Sequence, residues 1–158
     1  AYHRGRYAVP GVDFDAALLP QLFADLAFRL GSYGDPAAIP ASVWKTATRR
    51  VKNRTGYTHQ WRRRIGVGLK NLCMASADSE SDVATANVKG WRAFRVRKHD
   101  APVLAAESVC PASSEGGRRT QCDKCVLCKG ATIAARSIVI ADHGLMDSRR
   151  RAVPDAVV

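Results

Sequence analysis

The sequence predicts an α/β fold of parallel β-α repeats, shaped as a partial or distorted barrel, with a four-cysteine metal-binding loop before the last strand. Short apolar segments alternate with segments of helical periodicity along the chain, a pattern typical of parallel strands joined by crossover helices. Polar residues cluster directly after the predicted strands, where such folds place their ligands. The alternation has one interruption, a cysteine-rich segment between 109 and 130.

The first half of the chain contains two helical segments and three strand candidates. An apolar stripe between Phe14 and Leu30 predicts a helix that Asp13 caps and that begins at Pro20, because proline is tolerated only in the first turn. Ser42 is expected to cap a second helix from Val43 to about 52. Strands are predicted over 27–32, around 57 and over 69–75.

The second half continues the alternation. Asp78 or Ser79 is expected to cap a helix that runs to Val88 and stops at Gly90. A strand over 91–97 alternates apolar and basic residues, and the apolar run 137–141 predicts the last strand. We expect one domain over 1–148 and a basic, disordered tail over 149–158.

Four of the five cysteines lie in the loop 109–130. Three of them form a C-x2-C-x2-C run, which is too crowded to form disulfides with one remaining thiol. The intervening Ser-Ser-Glu-Gly-Gly segment suits a chain reversal that returns the remote cysteine to the other three. The predicted metal ligands are Cys110, Cys122, Cys125 and Cys128.

The spacing leaves the metal open. One remote cysteine and three close ones are typical of a [4Fe–4S] cluster, whereas structural zinc more often takes two separated C-x2-C pairs. Cys73 lies in an apolar segment and is expected to be a buried thiol rather than a ligand.

The chain has 158 residues and a formal net charge of +11, which favours polyanionic partners such as nucleic acid. No apolar run is long enough to cross a membrane, and no signal peptide opens the chain. Clustered cysteines without a secretory segment indicate the cytoplasm. Because the chain begins at Ala1, we expect that an upstream segment is missing.

Basic residues concentrate between 45 and 70, where no acidic residue occurs, and two aromatic residues lie among them. Charge for phosphates beside rings for base stacking predicts nucleic-acid binding without sequence-specific readout. Two further arginines lie on the cysteine loop. The candidate set is Arg49, Arg50, Lys52, Arg54, Tyr57, Trp61, Arg62, Arg63, Arg64, Arg118 and Arg119.

A second candidate site lies at the predicted strand ends. Two carboxylates and two imidazoles would converge there if the strands are parallel, and they could act in acid–base catalysis. The residues are Asp35, His59, Asp78 and His143. Helix caps and turns use the same residue types, so a purely structural role is the alternative.

Several segments resemble an uncharacterised cysteine-rich protein family encoded by phages, plasmids and prophage islands. The resemblance rests on the cysteine loop and on L-G-S-Y-G-D-P (30–36), T-G-Y-T-H-Q-W (55–61), M-A-S-A-D-S (74–79) and G-W-R-A-F-R-V-R (90–97). It implies a mobile-element protein in the cytoplasm of a bacterial host, and a further cysteine-rich segment upstream of Ala1. It implies no particular reaction.

The leading hypothesis is therefore a metal-binding mobile-element protein, with an iron–sulfur cluster or zinc, that binds nucleic acid through a basic surface. One alternative is an enzyme that acts on a nucleotide or nucleic acid at the strand ends. Another is a phage or plasmid factor that binds a host protein complex.

Overall fold

The fold is described from a computed structural model, and the description covers residues 16–142. Six strands form a single sheet: β1 (Ala27–Leu30), β2 (Asn53–Thr58), β3 (Met74–Ala77), β4 (Ala93–Arg97), β5 (Glu107–Val109) and β6 (Ser137–Ala141). Their spatial order is β1-β2-β3-β4-β6-β5, and every pairing is parallel. The predicted α/β class with parallel strands is confirmed. The sheet is open, with edges at β1 and β5, and does not close as a barrel would.

Four short α-helices accompany the sheet: α1 (Leu19–Leu22), α2 (Ala41–Ala47), α3 (Arg64–Val67) and α4 (Glu80–Val88). Single 3-10 turns lie at Ala16–Leu18, Pro36–Ala38, His59–Arg62 and Gly130–Thr132. The hydroxyl of Ser79 accepts a hydrogen bond from the amide of Asp82 (3.1 Å) and caps α4. Gly90 follows with φ of +69°, the left-handed conformation that ends a helix. Both predicted signals are confirmed.

The sheet has two different faces, because successive side chains of a strand point to opposite sides. The register pairs Ser76 with Phe94 and Phe94 with Ile138, so these residues share one face, which we call the loop face. The other face, the helix face, carries the main core. That core includes Leu30, Trp61, Leu69, Cys73, Ala75, Val83, Ala86 and Ala93.

The strand order explains why the cysteine loop lies on the loop face. From β1 to β4 the chain advances across the sheet in one direction, but from β5 it steps back to β6. Parallel crossovers are right-handed almost without exception, so a crossover that reverses direction passes over the opposite face. The β5–β6 crossover is the segment 110–136, which contains the cysteines.

Several element boundaries differ from the prediction. The strand expected over 69–75 begins only at Met74, because 69–73 form a turn in which the amides of Leu72 and Cys73 donate to the Leu69 carbonyl at 2.8 and 3.0 Å. Helix α2 begins at Ala41 after Pro40, without a side-chain cap from Ser42. Helix α1 begins at Leu19 with proline in its first turn, near the expected start. Asp13 and the tail 149–158 lie outside the described residues.

Candidate metal centre

The first and last cysteines of the loop lie together on the loop face. Cys110 follows β5 directly, and its amide donates to the carbonyl of Val139 (2.9 Å). Cys128 is 8% exposed and packs with Met74 and Ile138 in a second apolar cluster. The partly buried members of this cluster are Tyr57, Phe94, Cys110 and Leu127. The apolar packing of this face therefore brings the remote cysteine close to the triplet.

The chain reverses immediately after Cys110, as the glycine-rich segment predicts. The carbonyl of Cys110 accepts hydrogen bonds from the amide (3.0 Å) and the hydroxyl (2.7 Å) of Ser113. A Cβ at Gly116 would lie 2.1 Å from that same carbonyl oxygen, so this position requires glycine. Gly117 and Arg118 then adopt φ values of +79° and +49°, which complete the reversal.

The side chain of Asn53 binds the backbone of the segment that carries the cysteine triplet. This residue is 4% exposed and opens β2. Its side-chain amide donates to the carbonyls of Cys122 (3.3 Å) and Asp123 (3.4 Å), and also to the carbonyl of Cys125. Sequence reasoning missed Asn53, because nothing in the local pattern distinguishes an asparagine that binds a distant loop from one in an ordinary turn.

Arg92 holds the chain after the triplet and was also missed. It is 7% exposed, directly before β4. Its guanidinium donates to four main-chain carbonyls, those of Leu127, Gly130 (3.2 Å), Ala135 (2.8 Å) and Arg136. A planar group with several fixed donors suits such a task. The backbone on either side of Cys128 is thereby tied to the sheet.

The thiols of Cys110 and Cys125 lie close enough to influence those of Cys122 and Cys128. Burial, and then the neighbouring thiolates of Cys110 and Cys125, raise the pKa of Cys128 to about 11. Burial and the same two neighbours also raise the pKa of Cys122. Like charges in a partly buried region oppose ionisation, and a bound cation would reverse that effect.

Cationic and hydrogen-bonding groups partly oppose the repulsion. The Tyr57 hydroxyl and the Arg92 guanidinium act to lower the pKa of Cys128, and Arg29 acts in the same direction on Cys122. Burial and the Cys128 sulfur together raise the pKa of Tyr57 well above its usual value, so its hydroxyl remains a proton donor.

The thiols do not form a finished coordination sphere. Within residues 16–142, no group of three or more His, Cys, Asp or Glu side chains is set to hold a metal ion as it stands. All five cysteines are free thiols. The donor set nevertheless fits zinc or an iron–sulfur cluster, since soft thiolates select these metals, and the loop backbone that carries them is already fixed.

Cys73 is separate from the other cysteines. It belongs to the core on the helix face and is fully buried. Its Sγ donates to the Leu69 carbonyl (3.7 Å). Burial, with a smaller contribution from Asp35, raises the pKa of this thiol to about 12. This position suits the predicted role of a small apolar side chain.

Three of the four predicted strand-end residues follow the carboxyl ends of neighbouring strands: Asp35 follows β1, His59 follows β2 and Asp78 follows β3. The carboxylate of Asp35 accepts hydrogen bonds from the amides of Ala37 and His59 (both 2.8 Å) and from the Thr58 hydroxyl (2.7 Å). Burial acts to raise the pKa of Asp35, but these hydrogen bonds outweigh it and lower the pKa. Asp35 therefore ties the loop after β1 to the end of β2.

The imidazole of His59 lies near a different carboxylate. Its Nε2 is 3.8 Å from Oδ1 of Asp78, and both side chains are mostly exposed. Asp35 contacts the backbone of His59 rather than its ring. His143 lies outside the described residues. The structure thus joins Asp35, His59 and Asp78 in sequence-distant contacts, without directing the three functional groups at one point.

The basic residues of 45–70 are divided between the two ends of β2. Arg49, Arg50 and Lys52 precede this strand, and Arg62, Arg63 and Arg64 follow it. Six residues of strand separate the groups by roughly 20 Å. Arg54 lies on β2 itself and donates to the Asn71 carbonyl (2.9 Å). Arg118 and Arg119 are exposed on the cysteine loop.

The two aromatic candidates have structural positions. Trp61 is 2% exposed, and its indole N–H donates to the Ser76 carbonyl (2.9 Å). Its ring is covered by Arg62, whose guanidinium lies 3.7 Å from the ring centroid and pairs with Asp82. Tyr57 is half-buried against Phe94, with ring centroids 4.3 Å apart. Trp61 thus occupies a core position rather than one open to base stacking.

In the described part of the chain, no helix has the length and apolar character needed to span a membrane. Comparison with known proteins adds no family: no family model, no curated protein and no solved structure matches this chain.

Proposed function

We propose that this chain is a metal-binding protein in which Cys110, Cys122, Cys125 and Cys128 hold one [4Fe–4S] cluster or one zinc ion. The observation that supports the proposal most strongly is that two buried side chains from the sheet, Asn53 and Arg92, bind the backbone of the cysteine loop. These contacts fix the backbone that carries the proposed cysteine ligands on the loop face.

The electrostatics of the thiols also favour a bound metal. The apolar cluster beneath the loop face is small, and it includes Cys128 and, partly buried, Cys110. Without a cation these thiols add mutual repulsion on ionising. A bound metal removes that repulsion and supplies binding free energy that becomes folding free energy. Asn53 and Arg92 then act as the supporting groups that orient the ligands.

The ligand number limits the chemistry. A zinc ion with four thiolates has no open position and stabilises structure, and a cluster with four cysteine ligands serves electron transfer or structure. In both cases the chain's own contribution is to bind, orient and partly bury the thiolates.

Anaerobic purification followed by elemental analysis and visible spectroscopy tests the proposal. We expect either one zinc per chain in a colourless protein, or four irons with the broad visible absorption of a cluster. A protein that contains less than a tenth of an equivalent of either metal after expression with both supplied would contradict it.

We also propose that the protein binds nucleic acid through exposed basic residues. Within residues 16–142, seven of the exposed candidates have no carboxylate partner within ion-pair distance: Arg49, Arg50, Lys52, Arg63, Arg64, Arg118 and Arg119. Unneutralised charge of this kind binds phosphate backbones and releases their counterions. Titration of a single-stranded and a duplex oligonucleotide at several salt concentrations tests this function. Affinity that does not depend on salt would contradict it and would favour a protein partner, such as a host complex.

The strand-end enzyme hypothesis has one favourable contact, the 3.8 Å approach of His59 to Asp78. It remains the alternative proposal, with a nucleotide or nucleic acid as substrate. Loss of hydrolytic activity in His59→Gln, if the native protein hydrolyses any nucleotide, would support it.

A further inference from the structure

Tyr33 presents almost its whole ring to solvent. It is 96% exposed, and among residues 16–142 it is the only phenylalanine, tyrosine or tryptophan that is exposed. Trp61, which lies within the basic run, is buried, and its indole N–H already donates to the Ser76 carbonyl. A base that stacks on the described part of the protein therefore has one open ring, that of Tyr33.

The loop that carries Tyr33 is short and closed at its base. A Cβ on Gly31 would lie 2.6 Å from Cδ of Pro36 and 2.7 Å from the carbonyl oxygen of Gly34, so the two ends of the loop are in contact. Gly31 and Gly34 have φ values of +70° and +97°, which reverse the chain within a few residues. Pro36 is fully buried, and its carbonyl accepts a hydrogen bond from the indole of Trp44 (2.8 Å). The loop therefore holds Tyr33 at its tip on a fixed backbone.

Asp35 joins this loop to the basic residues that follow β2. Its carboxylate accepts hydrogen bonds from the Thr58 hydroxyl (2.7 Å) and from the His59 amide (2.8 Å). A single 3-10 turn then leads from His59 to Arg63. The lengths of these connections place the backbones of Tyr33 and Arg63 less than about 25 Å apart. One short segment of a nucleic-acid strand can therefore contact both the ring and the charge.

We propose that Tyr33 stacks on an unpaired base of a single-stranded nucleic acid whose phosphates bind Arg63 and Arg64. This inference rests on the proposed nucleic-acid binding and adds to it the class of strand and a residue that touches a base. Both arginines are exposed and have no carboxylate partner among residues 16–142. Stacking on a ring beside such charge is the way in which proteins bind single strands without reading their sequence. A base in a duplex is already stacked on both faces and offers neither to Tyr33.

Fluorescence anisotropy with a labelled dT strand of about 12 nucleotides, and with the same strand paired to dA, tests the inference. We expect Tyr33→Ala to bind the single strand about 5- to 100-fold more weakly than the native protein, with the duplex affinity unchanged. The salt dependence should also stay the same, because the ring carries no charge. Tyr33→Phe keeps the ring and should bind as the native protein does. Val88→Ala is the control, since Val88 is 89% exposed at the end of α4, away from the loop after β1.

The possible outcomes separate the two claims. A native protein that binds neither the strand nor the duplex contradicts the proposed nucleic-acid function itself. Native binding that Tyr33→Ala leaves unchanged, or weakens equally for strand and duplex, overturns only the stacking role of Tyr33. Because the ring is almost wholly exposed, Tyr33→Ala should melt as the native protein does. Photocrosslinking with a strand that carries iodouracil gives an independent readout: we expect the crosslink at Tyr33, and a crosslink found only at other residues would overturn the inference.

Discussion

The side-chain amide of Asn53 donates to the main-chain carbonyl of Cys122 at 3.3 Å, across 69 positions of the sequence. The same nitrogen serves the carbonyls of Asp123 and Cys125. One buried polar group at the start of a strand thus fixes the turn that carries two of the predicted ligands. The start of β2 and the cysteine turn are therefore joined directly.

Replacing Asn53 with Asp tests this connection. A carboxylate cannot donate to the three carbonyls, and it would place negative charge beside them and beside the thiols. We expect the free energy of unfolding to fall by at least 1–3 kcal/mol, roughly the cost of a buried polar group without its partner, and metal affinity to fall with it. Urea denaturation measures the first effect.

The matched control is Asn71→Asp, because Asn71 is exposed and its side chain forms no hydrogen bond among the described residues, where only its carbonyl accepts one from Arg54. We expect this variant to unfold within about 0.5 kcal/mol of the native protein. Equal stability of the two variants would show that the Asn53 contacts do not support the loop.

Because Cys73 lies in the helix-face core and Cys125 on the cysteine loop, we expect their substitutions to affect metal binding differently. Cys125→Ala is expected to lose the metal, because it removes one of the four proposed ligands. Cys73→Ala is expected to retain it and to lose about 1 kcal/mol or more of stability, because it removes a buried side chain. Metal analysis of both variants checks the assignment. Metal retained in Cys125→Ala, or absent from a folded Cys73→Ala, would be inconsistent with it.

The lowered pKa of Asp35 predicts a pH effect on stability. A carboxylate with a depressed pKa in the folded protein contributes stability above its unfolded pKa, about 4, and loses that contribution as the pH falls through its folded value. The contribution arises from hydrogen bonds donated by Ala37, Thr58 and His59. Between pH 6 and pH 3, the free energy of unfolding of Asp35→Asn should therefore fall less than that of the native protein. The difference should correspond to the contribution of this one carboxylate.

Asp100→Asn is the control for this experiment, because Asp100 is exposed and has no hydrogen-bond or ion-pair partner among the described residues. Its acid unfolding should follow that of the native protein. If the free energy of unfolding of Asp35→Asn falls with pH as steeply as that of the native protein, Asp35 does not contribute to this pH dependence.

The basic residues after β2 give a prediction about nucleic-acid affinity. Changing Arg62, Arg63 and Arg64 to Gln should weaken binding and reduce the salt dependence by about 0.7–0.9 log units for each phosphate that is no longer neutralised. Because Arg62 already pairs with Asp82 and covers Trp61, we expect the triple variant to neutralise two fewer phosphates rather than three. Arg62→Gln alone should leave the salt slope almost unchanged. An unchanged salt slope in the triple variant would contradict this prediction and would indicate that Arg49, Arg50 and Lys52 contact the phosphates instead.

Local patterns predicted the elements that local interactions determine. The apolar run Ser137–Ala141 is a strand with those bounds, because consecutive β-branched residues suit a strand that is buried on both faces. Ser79 and Gly90 marked the ends of α4, since capping depends on a few neighbouring residues.

Contacts between distant segments were not predictable in this way. The three-residue strand β5 has too little pattern to be recognised, yet its edge position directs the cysteine loop to the loop face. Trp61 lies in a basic run that suggested base stacking, but tertiary packing buries it in the core of the helix face. The roles of Asn53 and Arg92 depend on backbone carbonyls that lie 35 to 72 positions away, and no sequence period reports them.

X-ray absorption at the zinc or iron edge, on protein purified without added metal ligands, tests the central claim most directly. The proposed centre predicts a first shell of sulfur at about 2.3 Å, with four sulfurs when the metal is zinc. For iron, it predicts cysteine and bridging sulfurs together with a short iron–iron distance. A first shell dominated by nitrogen or oxygen, or a spectrum that is the same in Cys125→Ala, would contradict it.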